Sequence, residues 1–175
     1  MQKIDNFLWA HSGLRLLPAD RRKAVRDVLI AILGVSLFVV TVDAVVFRQH
    51  LSQTYVDFST SPLWPRTAVV SAIAALEEFK YRLLAMTAMA AAAKLALPRL
   101  SPAAAVTIIV AAQFINVGPL VLADPLYASL RYWLVGSVWG WLYWRHGWLA
   151  ALAGHASVHA LLDPMLALAL TQSAA

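Results

Sequence analysis

The chain contains no cysteine, which excludes disulfides, cysteine metal sites and thiol nucleophiles. Charge is scarce as well. Only 13% of its 175 residues are charged, against about 25% in ordinary globular domains. A soluble domain of this size buries only about 70% of its surface and must coat the rest with polar groups. Here 61% of the residues are hydrophobic and gathered in long blocks. A typical cytosolic domain, a disordered chain and a nucleic-acid-binding module are thereby excluded. The net charge of +5 fits basic residues placed at one membrane face rather than a nucleic-acid surface. No small-residue cleavage site follows the first apolar run, which is too long for a signal-peptide core. No internal repeat and no second domain are visible.

What is present reads as an all-α, polytopic membrane helical bundle of about five transmembrane helices. Residues 1–27 form a basic N-terminal segment whose Phe7, Leu8, Trp9, Leu14, Leu16 and Leu17 suit a short interfacial helix, broken at Pro18. Residues 28–171 form one transmembrane domain. Its first span, Val28 to Phe47, has 20 residues, about 30 Å of helix and enough to cross a bilayer core. A polar loop from Arg48 to Pro65 follows. Arg66 to Leu97 reads as one helical stretch, longer than a straight crossing and therefore tilted, kinked or overhanging. After a turn at Pro98 to Pro102 come Ala103–Leu122, Leu126–Trp144 and Trp148–Leu170, joined by short connections that favour antiparallel neighbours. With the N-terminus inside, Lys3, Arg15, Arg21, Arg22, Lys23, Arg26, Lys94, Arg99 and Arg145 lie on the inner side, and Arg48 and Arg66 outside. That satisfies the positive-inside rule with five crossings.

An ionisable group inside a span costs at least ~2.5–3.5 kcal/mol and calls for a reason. Glu78 and Arg82 are four residues apart and share a helix face, so they can pair. Glu77 lies about 100° round the helix from Glu78. Unpaired and desolvated, it suits a general base near neutral pH; a solvated charge run or an interhelical staple is the plainer alternative. His155 and His159 repeat the four-residue spacing, and Asp163 continues their face and can orient His159. Gln113 and Asn116 are amides in an apolar helix, suited to hydrogen bonds across helices. Asp43 either faces the same cavity or, the better reading given its closeness to Arg48, sits near the outer interface; Arg131 lies close enough to an outer end to snorkel.

Taken together, these clusters resemble the CAAX-protease and bacteriocin-processing family of intramembrane endopeptidases, over roughly residues 66–163. The family's E-E-x-x-x-R motif matches Glu77-Glu78-Phe79-Lys80-Tyr81-Arg82. Its H-x-x-x-N motif matches His155 to His159, with His159 in place of Asn. Its F-x-x-x-H motif is not intact: Phe114-Ile115-Asn116-Val117-Gly118 puts Gly118 at the histidine position, and a slip of two puts Asn116 there. No histidine lies between residues 83 and 145.

The resemblance implies hydrolysis of a peptide bond in a membrane-associated or lipidated peptide by glutamate-activated water. Glu77 would be the base, supported by Glu78 and Arg82. Asn116 would hold the water, and His155 and His159 would stabilise the oxyanion. No cofactor is then required. Glu77, His155 and His159 also resemble a catalytic zinc shell, a less favoured alternative. The missing histidine leaves open a catalytically impaired member acting as a peptide-binding, immunity or scaffold protein. Outside the family, a small transporter or channel subunit with a polar relay remains open. Membrane lipids and a peptide substrate are the expected partners, with no nucleic acid. A bacterial inner membrane with a cytoplasmic N-terminus is the expected location.

Overall fold

Helix signals in the sequence are taken up one by one in a computed structural model that describes residues 2–97 and 99–172. Pro98, in the expected turn, lies outside the described residues, as do residues 1 and 173–175. Every regular element among the described residues is helical: α1 (Gln2–Ser12), α2 (Arg21–Val40), α3 (Gln53–Thr60), α4 (Leu63–Glu77), α5 (Thr87–Ala96), α6 (Pro102–Ala123), α7 (Pro125–Ala128), α8 (Val135–His146) and α9 (Trp148–Gln172). Side-chain caps start several of them by accepting an otherwise unpaired N–H. Asp20 accepts from Lys23 at α2, Ser52 from Tyr55 at α3, and Ser101 from Ala104 at α6. Gly147 ends α8 at φ +96°, a left-handed conformation that glycine adopts without steric cost. A Cβ there would lie 3.0 Å from the carbonyl oxygens of Arg15 and Leu17. The same strap accepts the first N–H groups of α9, Trp148 to Arg15 and Leu149 to Leu16.

Three stretches of wider π-helical winding continue these helices: Thr41–Val46 after α2, Glu78–Met86 between α4 and α5, and Ser129–Leu134 between α7 and α8. Among the described residues five long rods result. They are α2 with its π turn, α4 through α5, α6, α7 through α8, and α9. The 66–97 stretch is one continuous rod, as expected. α2 begins seven residues earlier than the expected span, because Asp20 caps it and the arginines of its first turn tolerate helix. The expected polar loop at 48–65 contains α3, which packs on α9. Ser52 supplies the start signal, and Asp43 anchors Tyr55 from below.

Trp139, Leu142, Tyr143, Met86, Val39 and Val158 form the middle of the core, all at 2% exposure or less. Many large apolar side chains remain outside, among them Ile30, Val69, Ile115 and Leu168. Two helices, Arg21–Val46 and Pro102–Ala123, are long and apolar enough to cross a membrane by length and composition.

Candidate active site

Each π turn carries an ionic group: Asp43 in the first and Glu78 with Arg82 in the second are buried, and Arg131 in the third is partly exposed. Such local widening re-aims side chains and is frequent at functional sites. Glu78 and Arg82, in the second, are 0% and 1% exposed. The expected pair forms, with Arg82 Nε 3.4 Å from Glu78 Oε1. Burial excludes the solvated charge run. Arg82 Nη2 also donates to Gln113 Oε1 and to the carbonyl of Gly136, each at 2.6 Å. Gln113 in turn donates to the carbonyl of Tyr132 at 3.1 Å. A Cβ at Gly136 would sit 2.0 Å from Gln113 Nε2, so only glycine lets α8 approach this amide.

The same carboxylate holds a histidine. Glu78 Oε1 lies 2.8 Å from His155 Nδ1, and an ionised carboxylate only accepts, so Nδ1 carries the hydrogen. Nε2 is left for other chemistry. The imidazole stacks on Trp139, with ring centres 5.3 Å apart and planes 14° from parallel. Trp148 Nε1 donates to the carbonyl of Glu78 at 3.1 Å. Glu78 Oε2 and Arg82 Nη1 are buried without a partner.

Glu77 points elsewhere, as its offset round the helix requires. Its Oε2 lies 3.5 Å from Asn116 Nδ2, which donates. Glu77, Asn116 and His155 line one cavity of about 200 Å³ together with Gln113, Arg131 and Trp139. The first Glu, the amide at the slipped middle position and the first motif histidine are therefore brought together from α4, α6 and α9.

His159 is not among them. It lines a neighbouring cavity of about 70 Å³ with Tyr55, Arg66, Arg131 and Asp163. Its Nδ1 faces Asp163 Oδ1 at 3.1 Å, the orienting contact expected from spacing. Asp163 Oδ2 also accepts from Thr67 at 2.7 Å, and Arg66 Nη2 donates to the Asp163 carbonyl at 3.1 Å. Both motif histidines thus spend Nδ1 on a carboxylate of the fold. Among the described residues no three His, Asp or Glu side chains form a group able to hold a metal ion.

Asp43 and Arg131 depart furthest from expectation. Asp43 is fully buried and pairs with a residue that lines the cavity. Arg131 Nε donates to Asp43 Oδ2 at 2.8 Å instead of snorkelling. Tyr55 and Tyr127 complete the shell of Asp43, donating at 2.5 and 3.1 Å. The partners are 88 residues apart in the chain, so no local spacing announces the pair. Arg131 lines both cavities and separates the two histidines' surroundings. Outside the rods, burial pushes the Tyr55 hydroxyl up to about 12.

Comparison of the chain with family models, curated proteins and solved structures finds no match.

Proposed function

We propose that the chain is an intramembrane endopeptidase resembling the CAAX-protease and bacteriocin-processing family, hydrolysing a peptide bond in a membrane-associated or lipidated peptide. One observation carries the reading: Glu77, Asn116 and His155 meet at a single polar cavity inside an otherwise apolar bundle. All five rods cross the membrane in this reading, that of a bacterial inner membrane with the N-terminus cytoplasmic. The two rods of sufficient length and apolarity, and the basic end of the bundle, support it.

Glu77, to which the Asn116 amide donates, holds a water in the cavity. Glu77 takes one proton from it, and the oxygen bonds to the scissile carbonyl carbon, whose π electrons move onto oxygen. His155 is held by Glu78 through Nδ1, and an oxyanion role for it requires a hydrogen on Nε2, directed at that alkoxide. When the intermediate collapses, the proton on Glu77 passes to the departing nitrogen and the C–N bond breaks.

Gly118 favours one competing reading, a catalytically silent member that binds peptides. Both are tested by reconstituting the full chain in vesicles with lipidated and transmembrane peptides. Wild type cleaves in the first reading, and Glu77→Gln and His155→Gln each lose about 10²-fold or more. Equal cleavage by all three sinks the peptidase; retention of peptide without cleavage by wild type establishes the silent reading.

A further inference from the structure

α2 and α9 do not close against each other at the basic end of the bundle. They leave a groove of about 490 Å³ whose walls include Val25, Val28, Leu29, Leu149 and Ala153, with Arg21 at its mouth. Val25 and Leu29 are 59% and 60% exposed. Arg21, Val25 and Leu29 follow at four-residue steps and so form one stripe along α2. From the cation to the end of the stripe is eight residues, about 12 Å, close to the ~15 Å half-thickness of a bilayer's hydrocarbon core.

The charges round the mouth are sorted. Lys23 pairs with Asp20 at 3.5 Å, Arg26 with Asp27 at 2.8 Å, and Arg145 lies 3.6 Å from Asp27. The guanidinium groups of Arg21 and Arg22 form no ion pair among the described residues. Beside the larger apolar groove next to α1, Lys94 donates to the Ala10 carbonyl and Arg15 stacks over Trp9. Two uncommitted cations at the headgroup end of a chain-length apolar slot complement one kind of molecule, an amphiphile with an anionic head.

We infer that the groove between α2 and α9 is a binding site for an anionic phospholipid of the leaflet at the basic end. The phosphate lies against Arg21, with Arg22 adding to the local field, and one acyl chain follows Val25, Leu29 and Ala153. The inference rests on the membrane reading but not on peptidase activity, since no wall of this groove belongs to the Glu77 cavity.

Native mass spectrometry of the full chain in detergent tests it, with phosphatidylglycerol and phosphatidylcholine of identical chains present in equal amounts. The expected result is one retained lipid per chain with phosphatidylglycerol in excess. Arg21→Gln and Arg22→Gln each lower that preference about fivefold, Arg21→Lys preserves most of it, and Ala153→Trp expels both lipids. Equal retention of the two lipids by wild type overturns the inference, as does an unchanged preference in the Arg21→Gln/Arg22→Gln protein. Flotation with phosphatidylglycerol vesicles separates the two failures. A chain that floats yet retains both lipids alike overturns this inference alone, and one that does not float overturns the membrane reading with it.

Discussion

His155 gives its Nδ1 hydrogen to Oε1 of Glu78 over 2.8 Å, and that carboxylate is fully buried and shared with Arg82 at 3.4 Å. The two glutamates of the first motif therefore divide the work. Glu78 holds the fold and aims the imidazole, while Glu77, half-buried beside Asn116, is free to meet a ligand.

Exchange of the two acids separates these roles. Glu78→Gln leaves the Arg82 charge buried with only amide and carbonyl partners, and loss of one member of a buried pair costs about 3–5 kcal/mol. Thermal unfolding in detergent reports a large drop for Glu78→Gln and little change for Glu77→Gln. In the peptide assay Glu77→Gln is the inactive protein that remains folded. Equal melting of both variants contradicts the division.

The histidines divide in the same way. His159 lines the smaller of the two cavities and is tied to Asp163. His159→Gln is expected to keep hydrolysis within about tenfold of wild type, whereas His155→Gln loses about 10²-fold or more. Comparable losses return His159 to the oxyanion role that the family resemblance implies.

Spacing made much of this site legible. Glu78 with Arg82, and His159 with Asp163, are four residues apart on one helix, so the α-helical period brings each pair together before any fold is known. The continuous rod from α4 to α5 was legible because residues 66–97 hold no Gly or Pro, so the charged cluster at 77–82 interrupts the apolar pattern without breaking the helix. Asp43 with Arg131 was not, because membership of a pair between distant rods depends on which helices become neighbours, and hydropathy carries no such information. Asp43 near Arg48, and Arg131 near a span end, looked like interface residues by depth alone. The π turns that rotate both side chains inward leave no composition signal. The helix α3 was hidden inside a polar stretch whose burial comes from Tyr55 reaching Asp43.

That distant pair makes its own prediction. Asp43→Asn strands Arg131 and costs about 3–5 kcal/mol, while replacing both partners by leucine recovers most of the loss, since a buried pair is often no better than apolar groups of similar volume. The double variant melts well above Asp43→Asn. If it melts below, the network contributes more than pairing, through Tyr55 and Tyr127.

Alkaline pH probes the same network from its outer side. Burial raises the Tyr55 hydroxyl from its ordinary value of 10.0 to about 12, because ionisation would place a phenolate beside Asp43 in a poorly solvated place. The folded state therefore holds this proton more tightly than the unfolded chain. Stability from Tyr55 is fully present below pH 10 and is lost as pH rises towards 12, where both states are deprotonated. Two pH units correspond to roughly 2–3 kcal/mol. Tyr55→Phe removes the proton together with the bond to Asp43, so it lowers stability at pH 8 by about 1–2 kcal/mol but flattens the fall between pH 10 and 12. Unfolding midpoints of both proteins across that interval provide the measurement. Parallel curves for wild type and Tyr55→Phe show that the phenol titrates alike in both states, and the anchoring of α3 through Asp43 is then wrong.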